Sequence, residues 1–165
     1  METRITGRVW KYGDDVNTDV IFPGKYTYSI SDPAEMAEHA LEDLDPTFTE
    51  KVQPGDVIVA GKNWGCGSSR EQAVTCLKEA GVGAIVARSF ARIYFRNCIN
   101  KALPIVTCEA VEGVESGDEV TIDFAQGVVT TPGGEYSFPP LSPGVMEILE
   151  AGGLIPHVRQ KLGVE

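Results

Sequence analysis

Two short apolar runs, Val57-Ile58-Val59-Ala60 and Ala84-Ile85-Val86-Ala87, bracket a glycine-rich loop and the stretch Gln72 to Ala80, and this order leaves the chain few folds to choose from. Each run has the length and β-branched content of a buried strand, and the stretch between them has the apolar spacing of a helix. A strand, a helix and a second strand imply a parallel pair joined by a right-handed crossover, so an α/β fold is expected. The loop that opens the helix, Gly61 to Glu71, carries glycines at 61, 65 and 67, which allow positive φ and close approach to the main chain. Ser68 followed by Glu71 fits a capping box, which predicts Ser68 at the helix start, where unpaired N–H groups and the positive dipole end favour an anion. Arg70 adds a planar fork suited to a carboxylate or phosphate. The same residues also fit a plain capped turn with a solvated arginine. A dinucleotide fingerprint would need glycine where Arg70 stands, and a Walker loop would need Gly-Lys-Ser/Thr where Gly67-Ser68-Ser69 stands.

The rest of the chain frames this loop. Residues 5–12 alternate as a strand with one buried face, and Gly13 to Asp19 is an acidic, turn-rich loop. Val20 to Pro23 is apolar, and Gly24 to Ser29 is a polar, aromatic loop. Asp32-Pro33 with Glu35 predicts a helix start, Asp45-Pro46 its end, and Thr47 to Gln53 a connector to the Pro54-Gly55-Asp56 turn. A helix is expected over Ser89 to Asn100 with Phe90, Ile93, Tyr94 and Ile99 inward, then a strand over Leu103 to Thr107. From about residue 111 short β segments separated by glycine turns predict a β-rich cover, and Ser142-Pro143 begins a last helical region broken at Gly152-Gly153. Residues 1–165 are read as one domain with a mixed sheet and flanking helices.

Composition excludes several classes. Lys+Arg 14 against Asp+Glu 24 gives 14 − 24 = −10, which argues against a nucleic-acid partner and means an anionic ligand must be held by local positive groups. No apolar run reaches the 18 residues of a membrane span, and Met1-Glu2-Thr3-Arg4 lacks a signal-peptide pattern, so a cytoplasmic location is expected. Cys66, Cys76, Cys98 and Cys108 contain no Cys-x-x-Cys pair, so neither a zinc site nor an iron–sulfur site is expected in this chain. They read as reduced thiols, with Cys66 the one placed for alkylation or oxidation. His39 reads as a surface histidine.

Asn63-Trp64-Gly65-Cys66-Gly67-Ser68-Ser69-Arg70-Glu71, followed by Ala87-Arg88-Ser89-Phe90-Ala91-Arg92-Ile93, closely resembles the swivelling domain of the aconitase superfamily. A chain of this length with that domain alone resembles the small subunits of isopropylmalate dehydratases, from about Gly7 to the C-terminal helix. The resemblance implies a swivelling β/β/α domain, Ser68 as the base that moves a proton on and off carbon, and Ser69 and Arg70 as substrate ligands. It implies that Asp19 orients a catalytic group on the partner and that Tyr26, Thr27 and Tyr28 meet the variable arm of the substrate. Thr27, Tyr28 and Ser29 include no cation, which suits an apolar arm, whereas Lys25 could supply one. It further implies a large-subunit partner carrying a [4Fe-4S] cluster, with no cofactor or metal in this chain, and a small hydroxy-dicarboxylate substrate. Related hydro-lyases acting on homoaconitate, dimethylmalate or citraconate-type acids, and a non-catalytic anion-binding module, remain the alternatives.

Overall fold

A computed structural model of the protein describes residues 3–163; Met1 and Glu2, on which the expectation of no signal peptide partly rests, lie outside them. The chain runs β1 (Arg4–Lys11), α1 (Thr18–Ile21), α2 (Pro33–Ala37), α3 (Thr47–Lys51), β2 (Val57–Ala60), α4 (Gln72–Glu79) and β3 (Ala84–Ala87). It continues through α5 (Arg92–Asn100), β4 (Ile105–Thr107), β5 (Glu119–Asp123), β6 (Val128–Thr131), β7 (Gly134–Ser137), α6 (Pro143–Ala151) and α7 (Leu154–Leu162). Seven strands form one mixed sheet in the order β4-β3-β2-β1-β5-β6-β7.

β1 joins the two halves of that sheet. Val9 to Lys11 pair in parallel with β2, while Arg4 to Arg8 pair antiparallel with β5. β2 and β3 are buried along their whole length, which requires cover on both faces. On one face Ile58, Ile85 and Ile105 meet Val74 and Leu77 of α4 and Ile99 of α5. On the other, Val57, Val59 and Val86 meet Val120, Ile122 and Val129. Strands of the same sheet therefore pack on each other, so the sheet curls and its C-terminal β-rich part covers the face that the helices leave open.

Most helix boundaries follow from local chemistry. Asp32 caps α2 by accepting from Ala34 N (3.3 Å), with Pro33 at the first helical position. Ser142 caps α6 in the same way, and Gly152 ends it at φ 91°. Three expectations are corrected. The helix expected to run to Asp45-Pro46 ends at Ala37, and turns follow it. The supposed connector after Asp45-Pro46 contains α3, whose first turn is tied down by Thr47 N donating to Asp45 Oδ1 (3.1 Å). The helix expected from Ser89 starts only at Arg92, because Ala91 is extended (φ −63°, ψ 136°). No helix among the described residues is long and apolar enough to cross a membrane.

β1 to β4 run parallel, so the loops that follow β1, β2 and β3 emerge at the same end of the sheet. That is the end at which open α/β sheets bind ligands.

Candidate active site

The loop after β2 is laced between its two neighbours by main-chain hydrogen bonds. Gly65 N donates to Val16 O (2.8 Å) and Thr18 N to Cys66 O (2.9 Å), which fastens it to the loop after β1. Trp64 N donates to Ser89 O (3.1 Å) and Ala91 N to Trp64 O (3.0 Å), which fastens it to the loop after β3. Asp14 Oδ1 accepts from Lys62 N (2.7 Å), so the acidic loop after β1 holds the glycine loop. Trp64 is fully buried and anchors the loop in the core. Gly65, at φ 82°, lies so close to Tyr94 that a Cβ there would overlap the ring.

Ser68 does not cap the following helix. α4 begins at Gln72, and Glu71, the residue before it, makes no side-chain cap bond, so the expected capping box is absent. The reason is a contact distant in sequence: Thr18 Oγ1 donates to the Ser68 carbonyl (2.7 Å) and holds residue 68 apart from the helix. Ser68 is exposed, and among the described residues its hydroxyl makes no hydrogen bond to the protein. It faces a cavity of about 360 Å³ lined by Thr18, Ser68, Ser69 and Arg70 on one side and by Arg92, Ile93 and Asn97 of α5 on the other.

Arg70 is gripped by its own chain rather than left as a free fork. Its Nη2 donates to Thr18 O and Phe22 O (both 2.7 Å) and pairs with Asp19 Oδ1 (3.0 Å); its Nη1 donates to Thr27 Oγ1 (2.9 Å). The side chain is only 12% exposed, and Nε is buried without a protein partner. Arg70 therefore contributes a fixed positive charge to the cavity wall more than an open bidentate clamp.

The lining contains Arg70 and Arg92 and no carboxylate. A charge at ~4 Å interacts at about 4 kcal/mol in a partly screened setting, whereas charges beyond ~10 Å are largely screened by salt. Arg70 is partly offset by its pairing with Asp19, whereas Arg92 makes no ion pair among the described residues, so the lining has local positive charge despite the chain's −10. Other groups near the cavity stay protonated and neutral at neutral pH, so they do not exchange protons there. Burial pushes the phenol of Tyr94 and the thiols of Cys76 and Cys98 far above their usual range, and Tyr94 Oη donates to Ala73 O (2.9 Å).

The structure gathers some expected site residues and separates others. Asp19 and Thr27 meet Arg70, and Gln72 Nε2 donates to Thr27 O (2.8 Å). Lys25 and Tyr26 turn towards the turn segment between α2 and α3 instead: Lys25 Nζ lies 3.9 Å from Glu42 Oε2, and Tyr26 Oη donates to the same oxygen (3.1 Å). His39, expected at the surface, is mostly buried; it stacks on Tyr26 and donates to Glu42, a bond that holds the Glu42 carboxyl below its usual range. Tyr28 is fully exposed and lies outside the cavity lining. Asn97 was not expected. Ile93, expected in the core, is 53% exposed and lines the cavity, because the buried face of α5 runs through Tyr94, Cys98 and Ile99 and leaves Ile93 to one side of it.

All four cysteines are free thiols, Cys66 half-buried and the rest buried. Among the described residues no group of three or more His, Cys, Asp or Glu is placed to hold a metal ion.

Comparison with known proteins adds family evidence. Residues 18–110 match the aconitase C-terminal domain. The 3-isopropylmalate dehydratase small subunit of Caldicellulosiruptor bescii is 51% identical over 159 residues, covering 94% of this chain and 95% of the relative. That of Thermodesulfovibrio yellowstonii is 45% identical over 165 residues, covering 98% of each. The crystal structure of 3-isopropylmalate dehydratase from Methanocaldococcus jannaschii superposes with a TM-score of 0.91 at 42% identity, over 96% of this chain and 95% of that one.

Proposed function

Because this chain belongs to the 3-isopropylmalate dehydratase small-subunit family, within the aconitase C-terminal domain family, we propose that it is the proton-transferring half of a hydro-lyase. The reaction is the interconversion of 2-isopropylmalate and 3-isopropylmalate by loss and readdition of water, a step of leucine biosynthesis. The observation that carries this reading is a Ser68 hydroxyl with no protein hydrogen bond among the described residues, in a cavity whose lining has two guanidinium groups and no carboxylate.

The chain acts as one swivelling domain, in the cytoplasm, beside a large subunit that bears a [4Fe-4S] cluster. That cluster supplies the Lewis acid for the departing hydroxyl group. The residues of this chain do the rest. Ser68 Oγ, in the alkoxide form that the neighbouring guanidinium groups favour, takes the proton from the carbon next to the one that loses hydroxide, becomes the hydroxyl, and returns that proton to the alternative carbon during rehydration. Ser69 donates to a substrate carboxylate. Arg70 and Arg92 hold positive charge against that carboxylate as negative charge builds on it. Asp19 fixes Arg70 through their 3.0 Å pair.

The arm of the substrate meets the loop Gly24 to Ser29. Lys25, the one cation of that loop, is directed to Glu42 and over the Tyr26 ring, 5.1 Å from its centroid. No cation is thereby offered to a third carboxylate, which favours isopropylmalate over homologous tricarboxylic acids. The test is reconstitution with a family large subunit and a panel of 2-hydroxy acids. Turnover of 2-isopropylmalate only when both chains are present is expected; a preference for a tricarboxylic acid, or turnover by this chain alone, contradicts the reading.

A further inference from the structure

Thr18 is one of the few buried polar residues of the chain, 2% exposed, yet it borders the cavity. A polar group that deep must be hydrogen-bonded, and all three of its polar groups are. Its N–H donates to Cys66 O (2.9 Å), its Oγ1 to Ser68 O (2.7 Å), and its carbonyl accepts from Arg70 Nη2 (2.7 Å). One residue from the loop after β1 thus holds three positions of the loop after β2. Thr18 is itself fixed, because it begins α1, whose cap Asn17 accepts from Val20 N (2.9 Å).

We propose that Thr18 is a positioning residue which sets the stance of Ser68 through its hydroxyl and that of Arg70 through its carbonyl. The proposal rests on the functional reading above. The two contacts are chemically separable. Replacing the hydroxyl leaves the carbonyl in place, so the grip on Arg70 survives while residue 68 is released from the bond that displaces it from the helix. Loss of the hydroxyl therefore acts on proton transfer more than on substrate binding. Thr18→Val removes only the donor and keeps the shape of the side chain, whereas Thr18→Ser keeps the donor.

The experiment compares both variants in two ways. In the reconstituted pair, Thr18→Val is expected to lower kcat about tenfold with KM changed less than about twofold, and Thr18→Ser to restore kcat to within about threefold. In the isolated subunit, where no activity is needed, Thr18→Val is expected to speed alkylation of Cys66 about tenfold with an unaltered circular dichroism spectrum, and Thr18→Ser not to. Should Thr18→Val fold poorly, Thr18→Ala is read by the same criteria. Wild-type kcat together with a wild-type Cys66 rate in the hydroxyl-free variant overturns the proposal, as does an equal loss in Thr18→Val and Thr18→Ser. If the wild-type pair does not act on isopropylmalate, the functional reading fails on its own and the Cys66 rates decide the place of Thr18.

Discussion

Arg70 Nη1 donates a 2.9 Å hydrogen bond to Thr27 Oγ1, which ties the loop Gly24 to Ser29 to the loop that bears Ser68. A change at Thr27 therefore reaches the cavity without touching its lining. Thr27→Val is expected to leave a partly buried guanidinium donor unpaired, at a cost of about 1–3 kcal/mol. Steady-state kinetics of the reconstituted pair should show KM rising about fivefold to tenfold with a smaller change in kcat, and Thr27→Ser should recover most of it. An unchanged KM means that the tie does not matter to binding.

Tyr28 is fully exposed at the tip of the same loop, free to meet an incoming substrate or partner. Where the partner subunit closes over this loop, an arm ending in carboxylate would lose its hydration without gaining a counter-charge, at a cost of several kcal/mol, while isopropyl would gain about 25 cal/mol per Å² of apolar surface removed from water. Tyr28→Arg is expected to shift the ratio of kcat/KM from isopropylmalate towards homocitrate-type acids by at least about tenfold. The measurement is kcat/KM for both acids with both chains, and an unchanged ratio shows that this residue does not read the arm.

Gly65 combines φ 82° with contact against the Tyr94 ring. Gly65→Ala is expected to destabilise the subunit by about 1–3 kcal/mol through backbone strain and overpacking. Thermal unfolding should fall by about 2–4 °C for each kcal/mol. Gly144→Ala is the control, since a Cβ at Gly144 meets nothing within 4 Å.

Thiol chemistry should discriminate the cysteines. Burial raises Cys76 and Cys98 far above the usual thiol range, so at pH 8 their thiolate fraction is negligible, while Cys66 is half-buried in the glycine loop. Peptide mapping after brief treatment with iodoacetamide should find Cys66 modified and Cys76 and Cys98 intact. Raising the pH within the folded range should not recruit the last two, because their ionisation lies above it.

Much of the fold was legible because its signals are local. The apolar runs at Val57–Ala60 and Ala84–Ala87 can be buried on both faces only as inner strands, and Asp32-Pro33 and Gly152 mark helix ends through their own chemistry. The misreadings share a cause, which is contact distant in sequence. Ser68 and Glu71 have capping-box spacing, yet a hydroxyl 50 residues earlier takes the Ser68 carbonyl. Ile93 was grouped with Phe90 on one inward stripe, but Ala91 is extended where its N–H joins Trp64 O, so Phe90 lies outside the helix and the buried face of α5 is set by Tyr94, Cys98 and Ile99. Arg70 was expected as a free fork because nothing in its own loop engages it. Its acceptors come from Thr18, Phe22 and Thr27, which local pattern does not connect to it.

The most direct test of the proton-transfer role is Ser68→Ala in the pair with its large subunit. Ser68 is exposed, caps no helix and offers its hydroxyl to no protein group among the described residues, so folding and subunit assembly should be unchanged. With 2-isopropylmalate at saturation, kcat is expected to fall about 10²–10⁴-fold, the range for loss of a general base, while KM stays within about threefold. A Ser68→Ala pair that keeps kcat within about threefold of wild type would contradict the assignment of Ser68 as the group that moves the proton.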